Sequence, residues 1–153
     1  MEYKSTLLAV KEMDVSKQFY QDVLGMEVVA DFGENVTLDG GVVLQTLDTW
    51  KSLTQKDNVT LPNNAGELYF EEDDMDEFCD HLKSFDICYV HKLMEHRWGQ
   101  RVVRFYDPDK HMIEVGEKLD AVVLRFMEQG LSAEEVAVRM DIPLEFVTAC
   151  LNK

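Results

Sequence analysis

Residues 101–117, RVVRFYDPDKHMIEVGE, read as strand, tight turn, strand. Val102, Val103, Phe105 and Tyr106 are β-branched or aromatic and suit a pleated surface. Asp107-Pro108-Asp109 interrupts the ladder, because proline cannot donate and aspartate side chains bond nearby backbone amides. The return strand runs over His111 to Val115. Ile113 and Val115 point to one face; Met112, Glu114 and Gly116 point to the other. An unpaired carboxylate is costly to bury among apolar neighbours. Glu114 is therefore solvated, paired or bound to a cation, and it is the first candidate functional residue.

Working outward, the chain passes twice through one element order. Ser5 to Val10 is a short strand. A helix follows from about Val15 to Leu24, with Asp14 as its N-cap and Gly25 as its stop. Met26 to Phe32, Val36 to Leu38 and Val42 to Thr46 are strands, with Asp39-Gly40-Gly41 as a hairpin signal. Leu47 to Asn64 is a connector that Trp50 pins to the body. The second pass has a strand at Glu67 to Phe70, a helix at Met75 to Phe85 and a strand at Ile87 to Val90. A loop, His91 to Arg101, leads into the 101–117 pair. Each pass is βαβββ.

Residues 118–153 differ. Leu119 to Gln129, Ser132 to Met140 and Pro143 to Leu151 read as three short helices, with Ser132 and Glu135 as a capping box. Their outline is like a helix-turn-helix, but acidic residues outnumber cations, whereas phosphate contact needs Lys and Arg. They are expected to form a cap, not a nucleic-acid reader.

Two sets of residues carry a family resemblance. One is the strand, Phe105-Tyr106-Asp107-Pro108-Asp109 and the strand containing Ile113-Glu114. The other runs from Leu8-Ala9-Val10 through Ser16 to Gly25. Together they resemble the vicinal oxygen chelate superfamily, which includes glyoxalase I, bleomycin-resistance proteins and extradiol dioxygenases. The matches cover about residues 1–117. The resemblance implies an α+β fold: two βαβββ modules forming one curved mixed sheet, concave on one face, with helices outside. The expected domains are 1–117, glyoxalase-like, and 118–153, a C-terminal helical extension.

Strand alternation in such a sheet would gather Ser5, Gln45, Glu67 and Glu114 on the concave face. The resemblance makes these the metal-ligand positions, with Glu67 and Glu114 also the catalytic carboxylates that would move a proton. Ser5 departs from the family, where that position is usually His or Gln. The cation implied is divalent, Mg, Mn, Ni or Zn; two carboxylates and an amide suit the harder ions. The competing reading leaves the two glutamates solvated or paired with Arg104 or Arg101. Tyr69 and Trp98 could stack on a planar substrate, and Arg101, Arg104 and His96 complete the substrate-binding candidates.

The resemblance implies a metal-dependent lyase or isomerase acting on a small molecule with adjacent oxygens, such as a lactoylglutathione lyase-like enzyme. The alternative is a non-catalytic, drug-sequestering binder of the bleomycin-resistance type. The 153 residues carry a net charge of −15, which repels nucleic acid and anionic membranes. No apolar run reaches the roughly 20 residues needed to span a bilayer. The N-terminus lacks a secretory core, and three cysteines without metal spacing suggest reduced thiols. A cytoplasmic homodimer binding a small molecule is expected.

Overall fold

Each half of the chain supplies four strands that pair in the same order. In the first half these are β1 (Thr6–Val10), β2 (Val28–Asp31), β3 (Asn35–Leu38) and β4 (Val42–Thr46), ordered β1-β4-β3-β2. In the second they are β5 (Glu67–Glu72), β6 (Cys88–Glu95), β7 (Arg101–Tyr106) and β8 (Met112–Glu117), ordered β5-β8-β7-β6. The shared order supports two βαβββ modules, each with a sheet of four. The computed structural model describes residues 1–152. The fold is α+β, with helices α1 (Met13–Leu24), α2 (Leu47–Thr54), α3 (Met75–Leu82), α4 (Leu119–Glu128), α5 (Ala133–Met140) and α6 (Leu144–Leu151).

Two compact units result. The first holds residues 1–67 with 106–112; the second holds residues 68–105 and the chain from 113 onward. In the first, β1 runs parallel to β4, while β4, β3 and β2 are antiparallel. The register sets Ala9 beside Gln45 and Leu8 beside Leu44, so one face of β4 carries Val43 and Gln45 and the other Leu44. Val10, Tyr20, Val23, Val36, Leu38 and Leu44 are buried there.

The Asp-Pro-Asp turn belongs to this unit and is tied by its own side chains. Asp107, 1% exposed, accepts from the Tyr20 hydroxyl (3.0 Å), the amides of Asp109 (2.9 Å) and His111 (2.8 Å), and His111 Nδ1 (2.7 Å). Asp109 accepts from the Lys11 amide at 3.0 Å. Capture of the His111 amide keeps that residue in the turn, so β8 starts at Met112 instead of His111.

Other boundaries also differ from expectation. Helix α1 begins at Met13 with Glu12 at its N-cap, so Asp14 lies in the first turn, where a carboxylate favours the helix dipole. Within the expected connector, 47–54 is helix α2; Thr46 provides no side-chain cap to announce it. Helix α3 starts where Asp74 accepts from the amides of Asp76 and Glu77, and it ends at Leu82, short of Phe85. Strand β6 reaches Glu95, so much of the expected 91–101 loop is strand and only a tight turn, 96–100, remains.

Helices α4, α5 and α6 enclose a core of Val122, Val123, Phe126, Val136, Met140 and Val147 in the second unit. Ser132 and Glu135 form the expected capping box. Among the described residues, no helix is long and apolar enough to cross a membrane.

Candidate functional site

Glycine 116 shows which side chains share a face in the second unit. A Cβ there would come within 3.0 Å of Gln100 Nε2 and 3.1 Å of the Tyr69 ring, so the absence of a side chain at Gly116 lets both approach the strand closely. Gln100 is buried. Its amide donates to the Tyr69 hydroxyl (3.0 Å) and the Glu117 carbonyl (2.9 Å), and it accepts from Trp98 Nε1–H (3.1 Å). One amide thus pins two aromatic rings. His96 stacks on Trp98 with centroids 4.4 Å apart. The turn is closed by the His96 amide donating to the Gln100 carbonyl and the Gly99 amide to the His96 carbonyl, both at 2.8 Å.

A polar group continues from these rings. The Arg104 guanidinium forms an ion pair with the buried Glu114 carboxylate. Arg104 Nη1 also contacts His91 Nε2 at 3.2 Å, while His91 Nδ1 meets the Lys92 carbonyl at 2.9 Å. A carbonyl can only accept and a guanidinium can only donate, so these contacts place a ring proton on Nδ1 and turn Nε2 toward Arg104 as an acceptor. Burial, and then the charge of Arg104, push the His96 imidazole below its ordinary pKa, which favours its neutral form.

Tyr69, Trp98, His96, Arg104 and Glu114 therefore occur in this unit as two sets, one aromatic and one charged. Arg101 is held elsewhere. Its guanidinium bonds Asp76 of α3 through Nη1 and Glu117 through Nη2, both at 3.0 Å. Ser5, Gln45 and Glu67 belong to the other unit. Ser5 is half-buried just before β1, and Glu67 is exposed at the start of β5. Gln45 is buried; its oxygen accepts from Asn35 Nδ2 (2.8 Å) and its nitrogen donates to the Glu34 carbonyl (2.7 Å).

These donors do not fit the divalent ion that the resemblance implies. The Gln45 carbonyl oxygen would have to leave Asn35, and a cation at Glu114 would stand beside a guanidinium of like charge. Among the described residues, no group of three or more His, Cys, Asp or Glu side chains is arranged to hold a metal ion.

Gln100, Gly99 and Gly116 were not among the residues the sequence singled out. Gly116 carried a readable signal, since an isolated glycine in a strand marks a close approach. Gln100 carried none, because an amide in a turn has no partner until the fold supplies one.

The Glyoxalase-like domain family model matches residues 3–120. No curated protein sequence matches the chain. A protein of unknown function from Agrobacterium tumefaciens str. C58 is similar in structure at 33% identity and TM-score 0.70, covering 78% of this chain and 95% of that one. A glyoxalase-related enzyme from Fulvimarina pelagi is similar at 17% identity and TM-score 0.66, covering 76% and 88%. A lactoylglutathione lyase from Agrobacterium tumefaciens is similar at 24% identity and TM-score 0.58, covering 76% and 93%. The last two share the fold alone.

Proposed function

The chain belongs to the glyoxalase-like family, and from that premise we propose that it binds a small planar molecule without a metal, as a sequestering protein. The ligand would lie on the face bearing Tyr69, Trp98, His96 and Arg104. The observation that carries this reading is the ion pair between Arg104 and the buried Glu114. It commits the expected proton-moving carboxylate to a fixed cation, whereas a chelating lyase or isomerase needs that carboxylate for a metal or for substrate. The imidazole of His96 and the fixed rings offer stacking and hydrogen bonding, which suffice for capture. The net charge of −15 draws cationic or neutral ligands more readily than anionic ones.

Metal content tests the reading. Protein purified without chelator should hold only substoichiometric Mg, Mn, Ni or Zn, and Glu114→Gln should not change the amount. A stoichiometric ion that Glu114→Gln or Glu67→Gln removes would restore the metal-dependent enzyme.

The reading includes a homodimer, supported by exposed Val29 and by Phe32 at the end of edge strand β2; sedimentation velocity measures it. It includes a reducing compartment such as the cytoplasm, supported by Cys79, Cys88 and Cys150, which form no disulfide among the described residues.

A further inference from the structure

We propose that the C-terminal helices supply one wall of the ligand pocket, and that this pocket takes an uncharged aromatic molecule of one or two rings. The inference rests on the reading that the sheet face binds a small molecule, and it adds where the ring system goes and what selects it.

A cavity of about 340 Å³ opens between the 96–100 turn and the helices. Tyr69, Trp98 and Gln100 line one side; Leu119, Met140 and Ile142 line the other. The family match ends at residue 120, so Met140 and Ile142 come from outside the matched domain. The volume lies at the lower end of small-molecule sites, roughly 300–1,000 Å³, and suits one or two fused rings.

The lining chemistry sets the class. Gln100 already engages the Trp98 N–H and the Tyr69 hydroxyl, so the two residues offer ring surface more than polar groups. Met140 adds a thioether, which packs well against ring edges. The charged lining residues, Arg97 and Asp141, sit 3.9 Å apart and are each 86% exposed, a solvated pair at the rim. A charged ring system would enter the interior without a partner, and burying an unpaired charge is costly.

The wall is firmly seated. Phe126 of α4 lies where a Cβ on Gly99 would be, so helix and turn meet at van der Waals contact. Arg125 donates to the Gly99 carbonyl at 2.6 Å, and Arg139 donates to the Arg97 carbonyl. Both guanidiniums lie over the Phe126 ring, at 4.9 and 5.2 Å. Glu95 of β6 pairs with Arg139 at 2.8 Å and Arg125 at 3.5 Å.

Indole, titrated into full-length protein carrying methyl-labelled methionine and 15N-labelled tryptophan and histidine, tests the proposal. Saturable shifts are expected at the Met140 methyl and the Trp98 N–H, with Met75 and Trp50 unmoved. Ile142→Phe fills the cavity and should weaken indole at least tenfold. Trp98→Leu, an exposed position that leaves the helical core alone, should do the same. Met75 reports that both variants are folded. An unmoved Met140 overturns the proposal. If His91 and His96 then still shift, the helices form no wall but the sheet-face reading stands; if they do not, indole supports neither. Wild-type affinity retained in both variants also overturns it.

Discussion

At the scale of single residues, Gly99 is the most constrained position in the turn. Its φ of +92° is strained for any L side chain, and a Cβ would overlap the Phe126 ring. The left-handed backbone costs about 1–2 kcal/mol and overpacking about 1–3. Gly99→Ala should therefore lower unfolding free energy by about 2–4 kcal/mol, read from the urea midpoint at unchanged m-value. His96 makes a second prediction. Its lowered pKa means that the imidazolium forms only below the ordinary value of about 6.5. Stability linked to neutral His96 is complete above that pH and lost as pH falls through the folded-state value. NMR titration of the ring carbons checks this, and a midpoint above 6.5 would contradict it. The sequence showed Tyr69, Trp98 and His96 as ring-bearing candidates. It could not show Gln100 as their common tether, because nothing local distinguishes a bridging amide from a solvated one.

At the scale of elements, Glu117 joins β8 to α4. Its carboxylate, with a side chain 2% exposed, accepts from Arg125 Nε (3.0 Å) and Nη2 (2.9 Å) and from Arg101 Nη2 (3.0 Å). Burial pushes this carboxyl up, but the bonds from Arg125 and Arg101 more than offset it and hold it below the usual carboxylate range. The stability it contributes is fully present above the unfolded value of about 4.3 and is lost as pH falls below that. At pH 7, Glu117→Gln should cost about 2–4 kcal/mol, since Arg101 and Arg125 lose their buried counter-charge and keep only the more exposed Asp76 and Glu95. The variant should also show a flatter stability profile between about pH 5 and 3 than wild type, read by chemical denaturation at each pH. Element starts were legible where the cap chemistry is local, as at Ser132 with Glu135. Helix α2 was not, because Thr46 offers no side-chain cap and the apolar spacing covers barely two turns. Arg101 illustrates a different gap. A guanidinium on a strand reads equally as a substrate clamp or an internal tie, and only its contacts with Asp76 and Glu117 decide.

At the scale of the whole molecule, the net charge of −15 acts on every element at once. Self-repulsion is screened within about 8 Å at 0.15 M salt and reaches much further at low salt. The melting temperature should therefore rise between about 10 and 150 mM NaCl, by differential scanning calorimetry. The repeated βαβββ order was readable because strand alternation and turn residues are short-range signals. The attachment of residues 119–151 was not, because it depends on Arg125 and Arg139 reaching the backbone of a distant turn. That mode of attachment has an evolutionary consequence. The helices grip the turn at the main-chain oxygens of residues 97 and 99, which every amino acid possesses. The side chains at 97 and 98 can therefore be exchanged generation by generation without loosening the grip. A lineage could thus retune its guest preference there while the scaffold stays put.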